Sequence, residues 1–263
     1  MRTSQRPTVK GHSTRRGQMS TASFVFLVIG LVVVAVSLMA FVSAVFLLPA
    51  VHQLHTTVKR NHSKSNLEEI GIAMHNFHDA RGAFPSGVKG SKVGIPEQSW
   101  MTNLLPFVSQ SNLFEALNPE KAWSAPENQD VFSNIVPGYL SPLANPAERL
   151  VGDLGAAHYA GNSHLLGPDK EFKISQIKDG TSNTILAGEV ATGFKAWGDP
   201  SNVRDPAEGL GKSANQFGSS GETAVTLILL ADGSVRTIAF DIEQQTLKSL
   251  ATPNGKEDSV GDF

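Results

Sequence analysis

Hydrophobic and polar positions follow three different rules along this chain. Residues Phe24 to Val51 (FVFLVIGLVVVAVSLMAFVSAVFLLPAV) run for 28 positions without a charge. An α-helix rises about 1.5 Å per residue, so roughly 20 residues cross a hydrocarbon core about 30 Å thick. The run predicts a transmembrane helix over 23–48. Residues 1–22 are then a basic, disordered tail and 49–263 an outer domain. Pro49 lacks a backbone donor and is expected to kink the helix near the outer interface.

Beyond the run the period changes to that of an amphipathic helix. Leu67, Ile70, Met74 and Phe77, with Ala73 beside them, form one apolar stripe. Ser65 and Glu68 could open a new helix with a capping box, or the helix could run unbroken from the membrane to Ala80. Gly82 and Pro85 end it. Residues 86–98 read as a loop. Ser99 to Leu117 reads as two short helices interrupted near Pro106 and Gln110. Residues 118–150 hold five prolines and read as irregular structure with short helices. A turn at Asp179-Gly180 precedes a strand, Thr184 to Glu189, and 195–221 reads as a long polar loop. Val225 to Leu230, the dipeptide Asp232-Gly233 and Val235 to Phe240 form a β-hairpin. Asp241 is expected to cap a closing helix through Leu250. This order predicts an α+β fold, with a long helix packed on an antiparallel sheet and long loops.

Charge sharpens the topology. Five basic residues and no acid occupy 1–49, whereas the remainder carries a net −7. The excess of Arg and Lys before the run, against Lys59, Arg60 and Lys64 after it, puts the N-terminus in the cytoplasm and the large domain outside. A cleaved signal peptide is the alternative, but its apolar core would be about 7–15 residues. The acidic outer domain argues against nucleic acid as a partner. The chain has no cysteine, which excludes disulfides, thiolate metal sites and Cys nucleophiles.

Several stretches together resemble the bacterial DUF1559 family: LLPAV at 47–51, NLEEIGIAMHNFHDARGAFPSG at 66–87, LLPFVSQSNLFEAL at 104–117, HYAGN at 158–162, IKDGTSNTILAGE at 177–189, ADGSVR at 231–236 and the terminal VGDF. The resemblance implies a pilin-like plan, in which a membrane helix continues outward and packs on an antiparallel sheet. It also implies signature positions at Asp179, Gly180, Thr181, Ser182, Asn183, Asp232 and Gly233. The chain departs from the family in three places. Arg15-Arg16-Gly17 is followed by Gln18-Met19-Ser20-Thr21-Ala22, without the Phe and the Glu of a prepilin site. The position ten before Asp232 is Glu222, not the histidine of the H-X9-DG signature. Ser141 stands where relatives often carry Cys. A stem that stays uncut and does not polymerise is the expectation.

Catalytic chemistry is weaker. His75 and His78 lie three apart on the predicted helix and are the candidate metal ligands, with helix packing the favoured reading. His52 and His55 repeat the spacing near the interface and are expected in wet surroundings. Glu208 to Ser213 (EGLGKS) resembles a phosphate loop, but Pro206 replaces its first glycine. Ser182 with His158 or His164 and Asp179 would be a hydrolytic triad only if the fold joined them; an Asx-type turn is the simpler reading. Trp100, Trp123 and Trp197 read as core or loop anchors. The expectation is a non-enzymatic inner-membrane protein with no cofactor, in contact with the lipid bilayer and other envelope proteins. The alternative is an anchored solute- or glycan-binding module using the 195–221 loop and Trp197.

Overall fold

The computed structural model describes residues 20–87, 97–221 and 224–255. The chain divides into two compact units, Met1–Leu54 and His55–Phe263.

In the first unit, Ser20 caps helix α1 (Thr21–Val42), its side chain accepting from the Ser23 N–H at 3.2 Å. The helix widens to a π-helical turn over Ser43–Leu47. Pro49 follows two residues later. It has no N–H for the carbonyl four residues back, and a π-turn is one way a helix absorbs that loss. Thr21–Val45 is, among the described residues, the one helical stretch long and apolar enough to cross a membrane. A membrane span and a signal sequence both fit such a helix. None of α1 is buried, so its Phe, Leu and Val side chains need an apolar medium around them.

Helix α2 (Leu48–Arg81) runs unbroken past Ser65, the second of the two readings, so no capping box opens a new helix there. Ser65 and Glu68 lie inside it, and Glu68 faces Lys64 at 3.7 Å instead. Gly82 stops the helix as expected: it turns to φ +82°, and its N–H reaches the His78 carbonyl at 2.7 Å. The predicted pair of short helices appears as α3 (Trp100–Leu104) and α4 (Ser111–Ala116), joined by a 3₁₀ turn over Leu105–Phe107. In the proline-rich part, α5 (Pro126–Phe132) has Pro126 at its start, where no donor is missed.

The sheet begins earlier than the sequence suggested. Strands β1 (Leu150–Val151), β2 (Leu154–Ala157) and β3 (Tyr159–Asn162) precede a one-turn helix α6 (Ser163–Leu166). They escaped notice because GAA and AGN offer no β-branched residue and no alternation. Then come β4 (Ile185–Glu189), β5 (Lys195–Ala196), β6 (Val203–Arg204), β7 (Val225–Leu230) and β8 (Val235–Ala239). The main sheet has the order β6-β3-β4-β7-β8. It is antiparallel except where β6 runs parallel to β3, so the expected antiparallel sheet is in fact mixed. The 195–221 segment is not a plain polar loop. It supplies β5 and β6 and buries Trp197 and Phe217 completely. The closing helix α7 (Gln244–Ala251) starts after Glu243, with no side-chain cap, so the Asp241 cap is not used.

Both faces of the sheet are covered. Leu227, Leu229 and Ala231 share one core with the α2 stripe of Leu67, Ile70, Ala73 and Met74. Ile228 and Leu230 share the other with Leu247 and Leu250 of α7. That alternation follows from the two-residue period of a strand. The α+β architecture is therefore a helix–sheet–helix sandwich, with fully buried side chains such as Leu67 and Met74 each stabilising it by about 1.5–3 kcal/mol.

Candidate functional site

The signature turns meet. The backbone N–H of Asp232 donates to the Thr181 carbonyl at 3.0 Å, and that of Ala231 to the Thr184 carbonyl at 2.9 Å. Gly180 and Gly233 both take positive φ, +96° and +88°, where side-chain-bearing residues are strained. The side chains close turns: Asp232 Oδ1 accepts from the Ser234 N–H (2.9 Å) and Oγ (2.7 Å), and Asn183 Nδ2 donates to the Asp179 carbonyl at 3.2 Å. Asp179 Oδ2 accepts from the Gly255 N–H at 2.6 Å. A Cβ at Gly233 would lie 3.5 Å from His75, so this turn sits directly on α2. The Glu222 position falls outside the described residues.

The other candidates lie apart from one another or are tied into local hydrogen bonds. His75 and His78 flank Phe84, with ring centroids 5.8 and 5.3 Å away. His78 Nε2 accepts from the Ile174 N–H at 3.3 Å, while His75 Nε2 is buried without a partner. No group of three or more His, Cys, Asp or Glu suited to a metal occurs among the described residues. Ser182 precedes β4, whereas His158 pairs with Val190 at its far end. The strand between them spans about 15 Å. His164 Nε2 meets Asp205 at 3.0 Å, not Asp179. The EGLGKS segment is tied down as a surface loop, with Lys212 Nζ donating to the Gly221 carbonyl at 2.9 Å. His55 is exposed, and the His52 side chain lies outside the described residues. Trp197 is fully buried and donates through Nε1 to the Asn134 carbonyl at 2.9 Å. It anchors the core and is not open to a ligand, so the solute- or glycan-binding alternative loses the part it gave to Trp197. Trp100 is likewise an anchor, bonded to the Asn202 carbonyl at 2.9 Å.

What the sequence did not flag is a buried polar cluster at the other end of β4. The Glu189 carboxyl is 1% exposed. Ser63 Oγ, from α2, donates to its Oε1. Ser141 Oγ donates to the same oxygen at 3.1 Å, and the Leu227 N–H reaches Oε2 at 3.4 Å. Ser63 Oγ also lies 2.8 Å from the Tyr159 hydroxyl, to which Asn66 Nδ2 donates at 3.3 Å. Burial pushes the Glu189 carboxyl above the usual range, and the hydroxyls of Ser63 and Ser141 offset this only partly. Burial also raises the Tyr159 hydroxyl. The one available signal was a carboxylate ending the apolar run TILAGEVA.

Next to the cluster, His158 fastens the preceding loop to β3. The Ser141 N–H donates to its Nδ1 at 3.1 Å, and its Nε2 lies 2.8 Å from the Glu148 carbonyl. These partners assign the proton to Nε2. Burial lowers the imidazole's affinity for a second proton. Asn66, Ser141 and His158 reach the floor of a cleft of about 450 Å³, with Glu69 and Arg149 also in its walls. The carboxyl itself is shut off from it. The cluster can bind helix, strands and loop together, and it has no open path for a reacting molecule to Glu189.

A family model described as "Protein of unknown function (DUF1559)" matches residues 59–223. No curated protein and no solved structure shows a significant match to the chain.

Proposed function

The chain belongs to the DUF1559 family, and on that premise we propose that it is a single-pass membrane protein with a structural or interaction role outside the cytoplasm. The observation that carries this is the helix over Thr21–Val45, in which nothing is buried. Five basic residues before it, and none of the charge pairing a polar assembly would need within it, support a cytoplasmic N-terminus in the inner membrane. The packing of the α2 stripe on a mostly antiparallel sheet supports a pilin-like plan. The stem lacks the Glu and Phe of a prepilin site, which supports a tethered domain over a filament subunit.

The test is intact-mass analysis of the membrane-extracted full chain, with protease protection on intact spheroplasts. The expected result is an uncut N-terminus, and an outer domain digested only from the periplasmic side. A mature chain starting at Gln18, or one starting after a signal cleavage and released from the membrane, would overturn the reading.

A further inference from the structure

A second cleft, of about 440 Å³, lies between α4, the segment before α3 and the 118–123 loop. Phe114, Leu117, Trp123 and Phe132 give it apolar walls, and Glu97 and Glu115 also line it. We infer that this cleft binds a small organic cation carrying an aromatic or aliphatic body. The inference goes beyond the anchoring role and does not depend on it.

The walls are held in place before any ligand arrives. Asn128, 2% exposed, donates through Nδ2 to the carbonyls of Asn118, Lys121 and Ala122, each at 3.1 Å, and accepts from the Asn118 N–H at 2.8 Å. The Trp123 N–H donates to the Glu97 carbonyl at 2.9 Å. The Trp123 ring meets Phe132 edge-on, with centroids 6.1 Å apart, and Phe132 rests on buried Trp197 at 4.4 Å. A rigid aromatic wall loses little conformational entropy on binding.

The charge balance selects the ligand. Lys121, the cation among the lining residues, is held by Glu127 at 3.4 Å. Glu97 and Glu115 form no ion pair among the described residues. An ammonium group in the cleft is attracted by the lining carboxylates, and its apolar body packs on Trp123 and Phe114, with a cation–π contribution where it crosses a ring. An anion of the same shape meets repulsion, which sets the selectivity.

The probe is phenethylamine, titrated into the full chain in lipid nanodiscs with empty nanodiscs as baseline. Of the three tryptophans Trp123 lines the cleft, so a saturable change in tryptophan emission that Trp123→Phe abolishes reports on this site. Phenethylamine is expected to saturate, with phenylacetate about tenfold weaker or worse and phenethyl alcohol between them. Glu97→Gln with Glu115→Gln, at one half-buried and one exposed position, is expected to weaken the amine about fivefold and leave the alcohol unchanged, with circular dichroism checking that the fold is kept. Absence of a saturable change, equal binding of the three probes, or amine affinity unmoved by the double substitution would each overturn the inference.

Discussion

Ser63 Oγ donates to Glu189 Oε1 across 126 positions of sequence, and so ties helix α2 to the end of β4. Both groups are buried, at 0% and 1% exposure. An uncompensated carboxylate there would cost several kcal/mol, so the hydroxyls of Ser63 and Ser141 and the shift of the carboxyl toward its protonated form go together.

Glu189→Gln keeps the shape and the acceptor while removing the ionisable group. Because the folded carboxyl titrates above its unfolded value of about 4.3, the native protein has its full stability below that pH and loses it as pH rises toward the folded value. Thermal unfolding should therefore show the Gln variant gaining on the native chain as pH rises from about 4.3 to the folded value, with no further gain above it. A constant difference across pH would refute this. Glu189→Ala should cost about 2–4 kcal/mol below about pH 4.3, through the cavity and the stranded hydroxyls, and less as the native carboxyl ionises.

Ser63→Ala should destabilise by about 1–3 kcal/mol, since Glu189 and Tyr159 each lose a buried partner. Combined with Glu189→Gln, the loss should shrink, because a neutral amide needs the hydroxyl less. Denaturation of the two single variants and the double variant measures the coupling, and strict additivity would count against the hydrogen bond.

His158 should remain neutral as pH falls below its unfolded value of about 6.5, since burial lowers its folded value. The stability it supports is complete above about pH 6.5 and declines as pH falls toward the folded value. Nitrogen NMR should find the proton on Nε2 and Nδ1 bare. A protonated Nδ1 at neutral pH would contradict the Ser141 N–H donor.

Gly233→Ala should cost about 1 kcal/mol or more, seen as a lowered midpoint of thermal unfolding. The reason is the φ of +88° and not crowding, since the added Cβ would meet His75 at an ordinary 3.5 Å. Asn at 233, which tolerates left-handed backbone better, should recover part of the loss.

Much of the frame was legible in local pattern. The α2 stripe, the Gly82 stop, the paired short helices and the β7–β8 hairpin each rest on a period or a turn dipeptide that acts within a few residues. Of the two readings at Ser65 and Glu68 the unbroken helix holds, since a helix already under way needs no capping box. A boundary error has an equally local cause. Asp241 was outbid as a helix start by a turn running to Glu243. The strands at 154–162 carry small residues because their neighbours approach closely: a Cβ at Gly161 would fall 2.9 Å from Leu166 Cδ1. Their reason for being strands lies in the partners beside them.

The sequence by itself determined an apolar helix near the N-terminus, an α+β domain after it and the positions where the chain turns. The tertiary structure alone decided which polar residues leave water. Glu189, Ser63 and Tyr159 look like ordinary surface residues in their own segments. They become a buried cluster only because β3 pairs Tyr159 with Glu189 and α2 lays Ser63 across both. Local propensity carries no term for such a meeting, since its energy exists only between groups far apart in sequence, Ser63 and Glu189 by 126 positions, once the sheet has formed. The same holds for the cleft at Trp123, whose acidic and aromatic residues come from four separate segments.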